Sequence, residues 1–235
     1  MLDRISDDSP PGTPQLTVLS LNTLQGRADI EVVGDLIGAE RPDLVALPEA
    51  GVRFRDRLAP LVEPLGYRML ASPPDVGGSV GNMTVLVASR LGAVQAAVGR
   101  DTAFPYLELT GGSLGELRVV AIHPVAPRQG SVEQWRHDLE ILGRWCASGT
   151  PAIIAGDLNA TLDHSVLRDA MQGCTDAAAQ QGEGLAGTWP AGVPRWLGVQ
   201  IDHVLTTKGI NAQSFEIFDV LGSDHRAVLA RLSLP

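Results

Sequence analysis

A single layered domain of interspersed strands and helices, α/β or α+β, is the architecture the sequence predicts. Three observations carry that expectation. Short apolar runs with strand character, such as residues 16–21 and 153–155, alternate with segments of helical spacing, such as Ile30, Val33, Leu36 and Ile37. At 235 residues the chain suits one large domain or two small ones, and no internal repeat or linker divides it. Hydrophobic residues make up 44% and charged residues 19%, which excludes disorder over most of the length.

In chain order, residues 1–14 are polar and proline-rich and are expected to be a flexible N-terminal segment ahead of a folded domain over 15–235. Residues 16–22 alternate apolar and small polar side chains, as a strand does, and finish on Asn22. A helix over 28–40 ends at Arg41-Pro42. Residues 44–47 form a second apolar run that closes on Pro48-Glu49. Residues 52–65 read as an amphipathic helix interrupted by Pro60 and Pro64, and 72–81 as a Pro/Gly loop.

Strands are expected over 83–88, 93–98, 105–110 and 117–122, the last ending on His123. Ser131-Val132-Glu133-Gln134 has a capping-box pattern and should open a helix to about Ala147, with Trp135, Leu139 and Leu142 as its buried stripe. The isoleucine-rich run 153–155 is followed by Gly156-Asp157-Leu158-Asn159. On extended backbone residues two apart share a side, so Asp157 and Asn159 are expected to face one pocket. A short helix follows over 165–171, with Gly173 in C-cap position. Residues 181–198, with five glycines, two prolines and two tryptophans, form a long loop. The last strands are expected at 199–206, 212–220 and 225–234.

The formal charge is −9, and Lys208 is the sole lysine. That balance argues against a broad, sequence-independent grip on nucleic acid, which needs many phosphate-neutralising cations. Cys146 and Cys174 make neither a disulfide framework nor a CxxC metal site; two buried thiols are the favoured expectation, with a single bridge between them as the alternative. The N-terminus lacks the basic and apolar regions of a signal peptide, and no apolar run approaches the roughly 18 residues of a membrane span. The chain reads as soluble, cytoplasmic as written and extracytoplasmic if it is an excised domain.

Asn22, Glu49, His123, Asp157, Asn159, Asp224 and His225 each lie at or just past the end of an apolar run, while Asp202 lies inside one. Singly each has a structural explanation: Asn22 an Asx-turn, Asp224 a turn cap, His123 a packing residue. Asp202, between Ile201 and Val204, is costly to bury unless paired. Jointly they form a set of four carboxylates, two amides and two histidines. Hard oxygen donors without thiolates suit Mg²⁺ or Mn²⁺. With imidazoles to move protons or neutralise charge, the set describes hydrolysis of a phosphate ester.

The order of motifs resembles the endonuclease/exonuclease/phosphatase superfamily, whose best-known fold is that of DNase I. The matching segments are Leu21-Asn22, Pro48-Glu49, Val120-Ala121-Ile122-His123, Ala155-Gly156-Asp157-Leu158-Asn159, Ile201-Asp202-His203-Val204 and Gly222-Ser223-Asp224-His225-Arg226. The resemblance implies a four-layer α/β/β/α sandwich of two packed mixed sheets with outer helices and the active site at one rim. It implies Glu49 as principal Mg²⁺ ligand with Asn22 and Asp224 near the ion, and Mn²⁺ as a possible substitute. Asp157 and Asn159 would orient water and phosphate, and His225 would sit at the scissile phosphate as base or charge stabiliser. His123 would act near the leaving group, and Asp202 would orient a histidine.

Pro48 stands where many members carry glutamine, and the segment before Gly81-Asn82 lacks the tyrosine and glutamate of DNase I-type enzymes. Asn82 could contact phosphate instead or serve a turn. Arg195 and Arg128, in loops near the rim, could clamp phosphate or be solvated. His123-Pro124, Thr188-Trp189-Pro190 and Ile201-Asp202-His203-Val204-Leu205 are similar to a bacterial branch linked to glycopeptide-resistance membrane phosphatases. The implied substrates are a phosphorylated small molecule, a lipid phosphate or a nucleic acid, with a DNase-like nuclease and a non-catalytic phosphate- or metal-binding module as alternatives. No obligate protein partner is inferred.

Overall fold

The computed structural model describes residues 15–73 and 79–235. The expected flexible segment 1–14 and the centre of the Pro/Gly loop lie outside the described residues. The chain runs β1 (Gln15–Ser20), α1 (Ile30–Glu40), β2 (Leu44–Pro48), α2 (Val52–Val62), β3 (Tyr67–Ala71), β4 (Met83–Ala88), β5 (Val94–Gly99), β6 (Tyr106–Gly111) and β7 (Arg118–Ala121). It continues with α3 (Val132–Glu140), α4 (Gly143–Cys146), β8 (Ala152–Asp157), α5 (Ser165–Ala170), β9 (Cys174–Asp176) and α6 (Ala177–Gln180). β10 (Asp202–Thr207), β11 (Asn211–Phe218) and β12 (Ala227–Ser233) complete it.

The strands form two six-stranded mixed sheets, in the orders β11-β12-β1-β2-β4-β3 and β5-β6-β7-β8-β10-β9. Each has one parallel pair at its centre, β1 with β2 and β7 with β8, and antiparallel neighbours outside it. The C-terminal ends of the four parallel strands therefore share a rim with the N-terminal ends of β10 and β12. Every segment singled out at a strand end is delivered to that rim.

Why the central strands read as continuous apolar runs follows from burial on both faces. Val119, Ala121, Ile153 and Ala155 point between the sheets, against Val18, Ala46, Val85 and Val228. Their neighbours Val120, Ile122 and Ile154 point outward under Trp135, Leu139, Trp145 and Leu167. On the other flank Leu19, Val45, Leu47 and Leu86 meet Val33, Ile37, Phe54 and Leu58. Two sheets with helices on both outer faces give the four-layer sandwich. α1 is bounded by local chemistry: the Asp29 carboxylate accepts from Glu31 N and Val32 N, and Arg41 closes the helix in the left-handed region, at φ 48°.

Some expectations differ from what is observed. The capping box does not form. Ser131 Oγ instead accepts from Arg128 N and donates to Ala126 O, so it ties down the loop before the helix. α3 stops at Glu140 and α4 restarts at Gly143, where one helix to Ala147 was expected. Val199 pairs with Trp189 in an isolated bridge, and the strand itself begins at Asp202. β3, β9 and α6 were not anticipated; β3 is a half-buried edge strand, and the other two are three and four residues long, too short for a periodicity.

Cys146 and Cys174 are not free thiols. They are joined in a disulfide that links the end of α4 to the start of β9. Their Cα atoms lie 5.1 Å apart across 28 residues of sequence, a proximity that only the tertiary fold creates. Gly173, at φ 95°, lets the chain pass this point, since a Cβ there would sit 2.2 Å from the Cys146 carbonyl oxygen.

Beside the bridge lies a buried ion pair. His203 Nδ1 is 2.9 Å from Asp176 Oδ2, and Nε2 is 2.9 Å from the Ala160 carbonyl. Both ring nitrogens face acceptors, so the ring must carry both protons. Burial alone would lower the His203 pKa, but the Asp176 carboxylate raises it above the ordinary value. The stabilisation is thus present below the unfolded-state pKa and lost as pH rises through the raised folded value.

Two outcomes are expected in urea titrations. A Cys146→Ser/Cys174→Ser variant should lose ~2–4 kcal/mol of unfolding free energy. Asp176→Asn, which strands a buried imidazolium, should cost ~3–5 kcal/mol near neutral pH.

Candidate active site

At the shared rim a cleft of about 740 Å³ opens. Its floor is built from the ends of both sheets. Asn22, just past β1, makes an Asx-turn, its Oδ1 accepting from Leu24 N at 2.9 Å. That contact turns the amide so that Nδ2 donates to Glu49 Oε1 (3.2 Å) and to Asp157 Oδ2 (2.9 Å). The backbone then passes through the left-handed region at Leu24, Gln25 and Gly26, and Gln25 N donates to Glu49 Oε2 at 2.8 Å. Glu49, just past β2, itself has φ 63°. A non-glycine residue held there is uncommon, and such residues gather at functional sites.

The second sheet supplies the facing groups. Asp157, the last residue of β8, accepts Asn159 N on Oδ1 at 2.9 Å. Its Oδ2 lies 3.6 Å from both His123 Nε2 and His225 Nε2. Gly156 is required beneath it, because a Cβ there would fall 1.8 Å from the Ile122 carbonyl oxygen on the strand leading to His123. Asn159 reaches the cleft, though not by strand alternation. It sits at φ 49°, and its Nδ2 donates to the Pro124 carbonyl at 3.0 Å, fastening the segment after His123.

His225 Nδ1 pairs with Asp202 Oδ2 at 2.9 Å, and Asp202 is fully buried at the start of β10. The loop that carries His225 is fixed by Ser223, whose Oγ donates to Asn22 O and accepts His225 N. Burial by itself would lower the His225 pKa. The carboxylates of Asp202, Asp157 and Asp224 oppose it and prevail, raising the pKa to about 10. Asp224 Oδ2 accepts from Trp189 Nε1 at 3.1 Å, while its Oδ1 is buried without a hydrogen-bond partner, 3.9 Å from His225 Nε2. His123 Nε2 is 3.9 Å from Glu49 Oε1, and its ring lies 5.4 Å from that of Phe104.

Asn22, Glu49, His123, Asp157, Asn159, Asp224 and His225 all line the cleft, with Asp202 directly behind His225. Asn82 and Arg195 are placed elsewhere. Asn82 is buried and does not line the cleft, its carbonyl accepting Glu49 N at 2.8 Å. Arg195 donates to the Ile217 carbonyl and lies 3.8 Å from Asp219, in a separate shallow pocket. Arg128 does line the cleft.

Sequence reasoning passed over two buried supports. Asp138 accepts Ala103 N and Val125 N, each at 3.0 Å, and so fixes the segments bearing Phe104 and His123. Arg226 donates to the carbonyls of Gly187, Ala191 and Val193 and clamps the loop that carries Trp189. A charged residue in a helix stripe or directly after the Ser-Asp-His motif was the available signal for each.

The donor set fits a hard divalent cation. Glu49, Asp157 and Asp224 all line the cleft without a thiolate, and a buried carboxylate oxygen of Asp224 lacks a hydrogen-bond partner. Asp157, Asp202 and His225 also bring ligand atoms within 4.8 Å of one another. In that second set the His225–Asp202 hydrogen bond already occupies Nδ1 of the ring and one carboxylate oxygen.

A sequence profile described as the Endonuclease/Exonuclease/phosphatase family matches residues 19–225. No curated protein sequence matches the chain significantly. Solved structures share its fold at low identity. A humanized D. rerio TDP2 is 16% identical with a TM-score of 0.72, covering 93% of this chain and 99% of that one. A truncated Caenorhabditis elegans TDP2 is 18% identical with a TM-score of 0.72, covering 93% and 97%. The human Nocturnin catalytic domain with bound sulfate is 19% identical with a TM-score of 0.67, covering 94% of each. With a profile match that spans most of its length and a sandwich carrying the matched motifs to one rim, the chain belongs to the endonuclease/exonuclease/phosphatase family, whose members are generally divalent-metal-dependent, phosphoester-cleaving hydrolases.

Proposed function

We propose that this protein is a Mg²⁺-dependent phosphoester hydrolase, a phosphatase or phosphodiesterase that places water on phosphorus. The observation that supports this best is the meeting at Asp157 Oδ2 of an amide and two imidazoles drawn from both sheets, beside the oxygens of Glu49 and Asp224. Glu49 and Asp224 would hold the ion. Asn22 presents an N–H to the carboxylates, so it orients Glu49 and Asp157 rather than ligating. Bound Mg²⁺ supplies charge neutralisation and polarisation of a phosphate oxygen.

The remaining roles follow from protonation and placement. Asp157 accepts a proton from the attacking water, with Asn159 fixing the adjoining backbone. His225 is held at Nδ1 by Asp202, so its Nε2 is presented to the charge that develops on phosphorus. His123, against the Phe104 wall, donates a proton to the departing oxygen as the phosphorus–oxygen bond breaks.

Arg128 is the one arginine or lysine among the described residues lining the cleft, and this favours small phosphoesters over a long polynucleotide. A nuclease would nick plasmid DNA with a steep loss of affinity in salt. A non-catalytic module would bind Mg²⁺ in calorimetry and hydrolyse nothing in a panel of DNA, lipid phosphates and sugar phosphates.

With bis(p-nitrophenyl) phosphate as substrate, Glu49→Gln, Asp157→Asn and His225→Ala are each expected to lower kcat by ~10²–10³ while unfolding stays cooperative. EDTA should abolish turnover, and Mg²⁺ or Mn²⁺ should restore it. Near-normal turnover in all three variants would refute the assignment.

In proton NMR of the metal-free protein, the His225 ring should titrate far above an ordinary histidine, and Asp202→Asn should bring its midpoint down. The sign is that of a raised pKa: stabilisation from the charged ring is present below about 6.5 and lost as pH rises through about 10.

A further inference from the structure

β10 carries two ionisable side chains in succession, and they serve opposite faces of the second sheet. Asp202 points between the sheets, as Val204 does, and pairs with His225 at the cleft. His203 points outward, as Leu205 does, and is fully buried beneath the helical layer. A second histidine–carboxylate pair, His203 with Asp176, therefore stands on the far side of the strand from the first. The chemistry assigned to the cleft makes no use of it.

What this outer pair touches is the segment that leaves the cleft. His203 Nε2 meets the carbonyl of Ala160, the residue after Asn159, at 2.9 Å. Among the described residues no other donor reaches that oxygen. The turn before it is unusual. Leu158 N donates to the Ile201 carbonyl at 2.8 Å, and Asn159 bends back at φ 49° with its N–H on Asp157 Oδ1. A non-glycine residue in the left-handed region persists only where its surroundings over-determine it.

Here two consecutive carbonyls are gripped from the outer side, Asn159 O by Trp135 Nε1 at 3.1 Å and Ala160 O by His203. Asp176 aligns the ring and is itself fixed, because its second oxygen accepts Ala179 N at 2.9 Å at the start of α6. Without the histidine a buried carbonyl lacks a donor, and the turn is free to relax at Asp157 and Asn159, which both line the cleft. Displacing a positioned group by about 1 Å can cost about 10²-fold in rate.

We propose that His203, held by Asp176, is a positioning residue for the hydrolysis: by fixing the Ala160 carbonyl from behind, it keeps the 157–159 turn in the shape that aims Asp157 and Asn159 into the cleft. The kinetic arm of the test rests on the hydrolase reading, and the spectroscopic arm does not.

Two variants divide the ring's contacts. An amide supplies N–H donors, with the asparagine nitrogen falling where Nδ1 was and the glutamine nitrogen where Nε2 was. His203→Asn thus keeps the Asp176 contact and loses the tie to Ala160, while His203→Gln keeps the tie. Both are neutral, so both lose the ion pair. With bis(p-nitrophenyl) phosphate, His203→Asn is expected to lower kcat by about tenfold to a hundredfold with KM within about twofold. His203→Gln should recover most of that loss. A Cys146→Ser/Cys174→Ser chain, weakened at the same edge strand with the Ala160 tie intact, should keep its kcat.

In proton–nitrogen NMR of the metal-free protein, His203→Asn should move the Asn159 amide and the Trp135 indole N–H and speed their exchange. The Trp145 indole, bonded to Glu108, should stay in place. If His203→Asn does not fold, Asp176→Asn, which releases the ring, is read in the same two ways. Equal losses in His203→Asn and His203→Gln, a loss shared by the cysteine variant, or unmoved Asn159 and Trp135 signals would each overturn the proposal. A parent chain inert toward every phosphoester would count against the hydrolase reading alone, and the NMR comparison would still decide this one.

Discussion

The site depends on a seam. Asp157 belongs to one sheet, while Asn22 and the loop carrying His225 belong to the other. The 2.9 Å contact from Asn22 Nδ2 to Asp157 Oδ2 crosses between them, as does the His225–Asp202 pair. Four carboxylates brought together, three of them buried, would repel one another, and nothing in the hydrophobic packing compensates for that. The opposing amide N–H groups and a ring whose pKa is raised make the arrangement tolerable, and a bound cation would complete the neutralisation. The apolar layer between the sheets sets the separation at which this works. Packing and chemistry are therefore one problem here, since the same strands solve both.

Several backbone choices at the rim make sense only in that light. Glu49 and Asn159 occupy left-handed conformations that disfavour side chains, and Gly156 occupies a position where any side chain would strike the adjacent strand. Each is a local cost accepted to aim one functional group. The supports behind them are buried and polar: Asp138 under the His123 wall, Arg226 under the Trp189 loop, and Ser223 between Asn22 and His225.

Much of this was legible in the chain. Buried strands announce themselves as apolar runs, and a parallel pair must end at a rim, so most of the polar residues closing such runs meet at one cleft. What could not be read is whatever the tertiary fold alone decides. That Asn22 faces its neighbours with nitrogen follows from a backbone N–H two residues on. That Arg195 turns away from the cleft follows from the path of a glycine-rich loop. Asp157 and Asn159 were rightly paired by an alternation that the backbone does not follow, because Asn159 leaves the strand before it points. The cysteines misled for the plainest reason: a spacing of 28 carries no information about a distance of 5.1 Å.

That covalent link has a consequence for where the molecule is sturdy. A bridge between a helix end and an edge strand persists in oxidising surroundings and opens where glutathione keeps thiols reduced. The same polypeptide would then hold its outermost strand, β9, by a three-residue ladder, the Asp176–His203 contact and a few local hydrogen bonds. Its resistance to proteases at that edge would vary with the compartment in which it is found, although the catalytic rim would be untouched.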